Sequence, residues 1–304
     1  MTAVIEIEKL TKYYGKYRGI VDVDLAVNEG EIFGFLGPNG AGKTTTIRIL
    51  LDLIRPTSGG ARLFGIGASA DPVAIHRRSG YLPGEWNLYD RLTGAETIRY
   101  FANLRGGVDE AYVDGLVQRL DLDPSRRFRE YSRGNKQKVG LVVALQHRPE
   151  LMILDEPTAG LDPLVQQAFN EVLFEAKSEG RTVFLSSHII SEVERTCDRV
   201  AIIREGRIVR LDTVEGVRAL AAHEVELRFA APVPGSVFAA LDGVSNLVEE
   251  GRTLRMLVTG PIAPVVQLAA RHELVDLVSR EPSLEEVFLS EYASRRAETP
   301  AGVA

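Results

Sequence analysis

Apolar and polar positions alternate along "AVIEIEK" (3–9) and again along "GIVDVDLAV" (19–27), the period of a strand with one buried face. "EIFGFLG" (31–37) is instead a short apolar run that enters a glycine-rich turn. "KTTTIRILLDLI" (43–54) carries apolar residues at helical spacing and stops before Pro56. Residues 94–120 and 132–147 read as helices. "LMILDEP" (151–157) and "TVFLSSH" (182–188) read as short buried strands with a polar residue waiting at each C-terminal end. Strands alternating with helices predict an α/β fold with a largely parallel sheet. In such sheets ligands sit beyond the carboxyl ends of the strands, where Gly37, Asp155 and His188 lie.

After "VAIIREGRIVRLDT" (200–213), a hairpin centred on Glu205-Gly206, the pattern changes. Strands at 224–229, 244–249, 253–258 and 274–279 and helices near 236–241 and 262–272 follow in the order βαββαβ, that of a small ferredoxin-like α+β sandwich. A last helix is expected at "PSLEEVFLSEY", where Ser283 and Glu286 form a capping box. Residues 297–304 read as a disordered tail.

Composition narrows the classes. Acidic residues outnumber basic ones, 42 to 36, for a net charge of −6. That balance argues against nucleic acid as the main partner, because such binding rests on basic stripes. The single cysteine, Cys197, excludes an internal disulfide framework and fits a reducing compartment. No signal-like segment and no apolar run of about 18 residues or more is seen, so any service to a membrane is expected to pass through a partner.

"GPNGAGKT", Gly37 to Thr44, fits the pattern G-x-x-x-x-G-K-[ST] between a predicted strand and a predicted helix. Backbone N–H groups of such a loop cradle a triphosphate, with Gly40 and Gly42 keeping side chains out of the way. The helix that follows points its positive end at the phosphates. Lys43 is placed to reach the β and γ oxygens, and the Thr44 hydroxyl to ligate Mg2+. Asn39, Ala41 and Thr45 complete the set of nucleotide-binding positions. Asp155, ending an apolar strand, is expected to hold Mg2+ through water, leaving Glu156 to orient or deprotonate the attacking water.

These features describe a P-loop nucleotidase. "YSRGNKQKVGLVVAL" (131–145) followed by "LMILDEPTAGLD" (151–162) resembles the nucleotide-binding subunit of ABC transporters. The resemblance covers about 1–215, with a helical subdomain near 88–150, and leaves 216–296 as the accessory α+β domain. It implies an ATPase that works as a head-to-tail homodimer at the cytoplasmic face of the membrane, peripheral through a separate polytopic permease. It places Tyr14 of "LTKYYG" on the adenine, with Tyr13 as competitor. It places Ser132, Gly134 and Asn135 on the γ-phosphate of the other subunit's ATP, Asp162 at the subunit interface, and His188 on the γ-phosphate. The alternatives are a soluble ABC ATPase or a regulatory nucleotide-binding module not coupled to transport.

Two departures stand out. The family's glutamine after "GYLP" is replaced by Gly84 and then Glu85, leaving Glu85, a water or no contact at all to help hold Mg2+. The loop at 84–93, with Trp86, Leu88 and Tyr89, is still expected to form the coupling surface for the permease. In the signature segment Tyr131, Arg133 and Asn135 replace the usual leucine, glycine and glutamine, and Arg133 is expected either to point away from the nucleotide or to add a charge to it. Variants of this kind, with the extended C-terminus, resemble the bacitracin- and daunorubicin-resistance branch of bacterial exporters. A drug, antibiotic or other hydrophobic compound is therefore the expected cargo.

Overall fold

The computed structural model describes residues 2–85, 90–218 and 223–280, in two compact units that divide between Leu211 and Asp212. The first opens with β1 (Ala3–Tyr14) and β2 (Tyr17–Asn28), paired antiparallel, then β3 (Ile32–Leu36) and α1 (Lys43–Leu50). Next, β4 (Ser58–Leu63) pairs with β1 and β5 (Ile66–Gly67) with β4, completing an antiparallel sheet of order β2-β1-β4-β5. The remainder runs α2 (Pro72–Arg78), β6 (Ser79–Leu82), α3 (Gly94–Leu104), α4 (Glu110–Arg119), α5 (Arg133–Leu145), β7 (Leu151–Asp155) and α6 (Pro163–Ser178). It ends with β8 (Thr182–Ser187), α7 (Ile190–Thr196), β9 (Arg199–Arg204) and β10 (Arg207–Thr213).

The second sheet has the order β10-β9-β3-β8-β7-β6, and from β9 to β6 every pair is parallel. All residues of β3, β7 and β8 are buried, which is why these strands read as continuous apolar runs rather than alternating ones. β1 and β2 alternate because only one face of their sheet is covered. Ile5, Leu10, Val23 and Val27 from that face join Phe33, Phe35, Phe184 and Ile153 in one core. The Phe33 and Phe184 rings stack 5.8 Å apart across β3 and β8; burying each such ring contributes about 1.5–3 kcal/mol.

The register decides where the chemistry goes. Leu36 pairs with Ser187, and Asp155 with Ser186. The loop after β3 and the ends of β7 and β8 therefore lie side by side at one sheet edge.

The second unit contains α8 (Val214–Arg218), β11 (His223–Phe229), α9 (Ser236–Ala239), β12 (Val244–Glu250), β13 (Thr253–Val258), α10 (Ala263–Ala269) and β14 (Leu274–Arg280). Its strands, in the order β12-β13-β11-β14, are antiparallel throughout. That is the arrangement of a ferredoxin-like sandwich. Val225, Leu227, Phe229, Leu254, Met256 and Val258 form its core with Phe238 of α9 and Val265 and Ala269 of α10.

Some expectations change. The helix read over 43–54 ends at Leu50, because the chain turns through Asp52 at φ 55°. The helical stretch at 94–120 is two helices broken at Gly106-Gly107, whose φ values of 84° and 109° no helix continues through. The helices at 236–241 and 262–272 stop at Ala239 and Ala269. The turn at Glu205-Gly206 is as expected, with φ of 49° and 76°. Trp86, Leu88, Tyr89, the capping box at Ser283 and Glu286, and the tail at 297–304 lie outside the described residues.

Candidate active site

A cleft of about 590 Å³ opens at the edge where β3, β7 and β8 end. Asn39, Gly40, Gly42, Lys43, Thr44 and Thr45 line one wall, Asp155, Glu156 and His188 another, and Tyr14 its mouth. Gly37 and Ala41 belong to the same loop but are buried beneath it, since neither lines the cleft and Ala41 is only 4% exposed.

The glycines serve different ends. Gly40, at φ 78°, faces open space, so its backbone turns without obstructing the cleft. Gly42, at φ 114°, faces inward: a Cβ there would stand 2.4 Å from Ile20. The second glycine is thus demanded by packing behind the loop as well as by its backbone angle. The Gly206 N–H, from the β9–β10 turn, donates to the Ala41 carbonyl at 2.9 Å and props the loop from below. At the loop's end α1 begins with no side-chain cap and no acidic residue in its first turn, so its leading N–H groups are left for an anion.

Lys43 is 6% exposed. Its Nζ donates to the Gly37 carbonyl at 2.6 Å and lies 3.1 Å from Glu156 Oε1. The latter contact is an ion pair without hydrogen-bond alignment, and Oε1 has no donor. Thr44 Oγ1 donates to Asp155 Oδ2 at 2.8 Å, and Ser186 Oγ donates to Asp155 Oδ1 at 2.5 Å. Burial, with the Asp155 charge second, pushes the Tyr81 phenol in the cleft up to about 12, so it stays neutral.

Glu156 sits at φ 51°, a left-handed angle uncommon for a side chain of its size. Its N–H is held by the Ser186 carbonyl and hydroxyl, both at 3.2 Å. His188 Nδ1 meets its carboxylate Oε2 at 2.7 Å. Beneath it Gln137 donates to the carbonyls of Glu156 and Pro157, each at 3.1 Å. Nothing in composition or periodicity marks Gln137 as part of the site; its place inside the basic run "KQK" is the only signal.

Tyr14 lines the cleft and its hydroxyl lies 3.4 Å from Thr45 Oγ1, whereas Tyr13 does not line it. Adjacent residues of a strand point to opposite faces, so only Tyr14 reaches the cleft. Gly84 abuts Asp155, and Glu85 lines the cleft as an exposed residue.

Ser132, Gly134, Asn135 and Asp162 are elsewhere, around a second cleft of about 480 Å³ that shares no lining residue with the first. Ser132 is the N-cap of α5, its Oγ accepting from the Asn135 N–H at 3.3 Å. Asp162 caps α6 through the Val165 N–H at 3.0 Å. Gly134 allows close approach, since a Cβ there would be 2.3 Å from the Gly160 carbonyl. Tyr131 anchors the segment by donating to the Asp123 carbonyl at 2.5 Å. Of the two directions open to Arg133, the structure shows it lining the first cleft with Ala159 and Glu156. Successive residues of a helix start point about 100° apart, so Arg133 and its neighbours serve different clefts.

Residues 20–159 match the family model described as ABC transporter. The bacitracin transport ATP-binding protein BcrA of Enterococcus faecalis is 40% identical over 212 residues, covering 69% of this chain and 69% of that protein. The chain belongs to the ABC transporter ATP-binding family. As a member it binds ATP and is an ATPase coupled to transport. A solved ATP-binding subunit of an ABC transporter superposes on this ABC ATPase with a TM-score of 0.65 and 34% identity, covering 71% of the chain and 92% of that structure. The dimeric structure of MJ0796, a bacterial ABC transporter cassette, shares the fold with a TM-score of 0.63 at 23% identity, covering 69% and 98%. No helix among the described residues is long and apolar enough to cross a membrane.

Proposed function

We propose that this ABC ATPase drives export of a drug, antibiotic or other hydrophobic compound through a separate polytopic permease. Two copies assemble head to tail at the cytoplasmic face of the membrane. The observation that carries the assembly is the separation of the two clefts within one chain. The Ser132 hydroxyl and the first N–H groups of α5 are suited to a phosphate, yet they border a cleft that Lys43 and Glu156 do not line. A second copy brings one chain's Ser132 cleft against the other's phosphate loop; the MJ0796 cassette, which shares the fold, is dimeric. The export assignment rests on the likeness to the bacitracin transport protein.

In this reading Lys43 leaves Glu156 for the β and γ oxygens of ATP, since both compete for the same ammonium. Glu156 Oε1, freed of its ion pair, accepts a proton from the attacking water, while His188 holds Oε2 and faces the γ-phosphate. Tyr14 stacks on the base. Thr44 and Asp155 offer two hard oxygens 2.8 Å apart, which suits Mg2+, an ion that takes few protein ligands and fills the rest with phosphate and water. Bound there, Mg2+ supplies charge neutralisation on the phosphates. Residues 1–215 act as the ATPase domain and 216–296 as an accessory domain serving dimer stability or regulation.

The test is sedimentation of the Glu156→Gln chain with and without Mg-ATP, followed by co-expression of the wild-type and Lys43→Ala chains with a candidate polytopic permease and assay of resistance. An ATP-dependent dimer and resistance that needs Lys43 support the reading. A chain that stays monomeric with ATP bound defeats the sandwich, and ATPase activity that no membrane partner alters defeats the transport role.

A further inference from the structure

One carboxylate on α7 joins two segments that the site brings together. Thr158 Oγ1 donates to Glu192 Oε1 at 2.7 Å, and Ser187 Oγ donates to Glu192 Oε2 at 2.9 Å. The Ser187 oxygen accepts in turn from the Ile189 N–H at 2.9 Å, closing a turn around His188. Both hydroxyl residues are buried, Thr158 at 9% exposure and Ser187 at 0%. Thr158 lies in the loop that leaves Glu156, and Ser187 is the strand end that carries His188.

An ionised carboxylate only accepts hydrogen bonds, and here each oxygen has its own buried hydroxyl donor. We infer that Glu192 is a positioning residue: it clamps the loop after Glu156 to the segment before His188 and so sets the 2.7 Å meeting of the two side chains. Glu192 itself does not line the cleft. Its influence on turnover passes through geometry, to which a reacting site is sensitive: misplacement by about 1 Å costs on the order of a hundredfold in rate. The kinetic consequence rests on the ATPase reading; the clamp does not.

Three variants of the full chain separate these. Thr158→Val removes the hydroxyl at nearly constant shape, Thr158→Ser keeps it, and Glu192→Gln removes the charge. Without nucleotide, amide hydrogen exchange in Thr158→Val is expected to rise about tenfold in both 156–162 and 186–192, although the substitution lies in only one of them, and to return to normal in Thr158→Ser. In steady-state ATPase, Thr158→Val and Glu192→Gln are expected to lower kcat about tenfold or more while KM for ATP changes by less than about twofold, with Thr158→Ser restoring kcat. Exchange that rises only around the substituted residue overturns the clamp, as does a kcat that stays within about twofold. A wild-type chain that hydrolyses no ATP sinks the ATPase reading alone, and the exchange pattern still decides the clamp.

Discussion

His188 Nδ1 and Glu156 Oε2 lie 2.7 Å apart, joining two residues 32 positions distant in sequence at the ends of neighbouring strands. Glu156 is held there by its left-handed backbone angle and Lys43 by the Gly37 carbonyl. Substituting Glu156 by Gln keeps the size and the bond to a neutral histidine but removes the base. We expect kcat to fall by about 10²–10⁴ with ATP affinity preserved, measured by single-turnover hydrolysis and nucleotide titration.

Lys43 behaves oppositely. It is a buried cation between a carbonyl and a carboxylate, and Lys43→Ala removes the charge that ATP recruits. The expected result is at least about a tenfold loss of ATP affinity, since a charge-assisted contact is worth about 1.5–3 kcal/mol. Binding that remains at wild-type strength would take Lys43 out of the phosphate site.

Tyr14, on the cleft side of β1, and Tyr13, on the other, give a paired test. Base stacking on an aromatic ring contributes about 1–3 kcal/mol. Tyr14→Ala should therefore raise KM for ATP about five- to a hundredfold, with Tyr13→Ala changing it by less than about twofold. Equal effects would contradict the assignment.

At Gly84 a Cβ would meet Asp155 Oδ2 at 3.4 Å, an ordinary contact distance. The backbone therefore accepts a side chain, and Gly84→Gln places an amide oxygen near the Thr44–Asp155 pair. We expect this variant to fold normally and to reach half-maximal ATPase at a lower Mg2+ concentration than the wild type. An unchanged Mg2+ dependence would mean that the pair does not need the extra ligand.

His147 offers a stability test away from the chemistry. Burial first, then the Arg105 charge, lowers its imidazole to about 4, against a bond to the Ser79 carbonyl that acts the other way. The neutral ring is the folded form, and its Nδ1 is buried without a partner. Because the unfolded chain binds the proton more readily, stability is full above about pH 6.5 and is lost as pH falls toward about 4. His147→Gln, which retains a donor for Ser79, should flatten the fall in Tm between those pH values. An equally steep fall would place the acid sensitivity in other groups.

Much of the fold and site follows from local patterns. The phosphate loop is legible because a strand, a tight turn and an uncapped helix leave a continuous mark over 31–54. The same holds for Asp155 and Glu156, which end an apolar run, and for β11 and β13 of the accessory sandwich, whose alternation matches a buried face. The break at Gly106-Gly107 is legible in hindsight, since paired glycines stop a helix on conformational grounds.

Other features have no local mark. Gln137, Glu192 and Thr158 acquire their roles from contacts between segments that folding alone brings together. Gly42 needs its glycine partly because Ile20 lies behind it, and Gly134 because the Gly160 carbonyl does. Arg133 turned out to face the first cleft because helix phase, not residue type, sets its direction. The sequence by itself determined the fold class, the phosphate loop and the acidic strand end, since propensity, periodicity and turn chemistry act over a few residues. Only the tertiary structure decided which side chains meet and which clefts stay apart, because strand register and helix phase place residues in space without leaving a pattern along the chain.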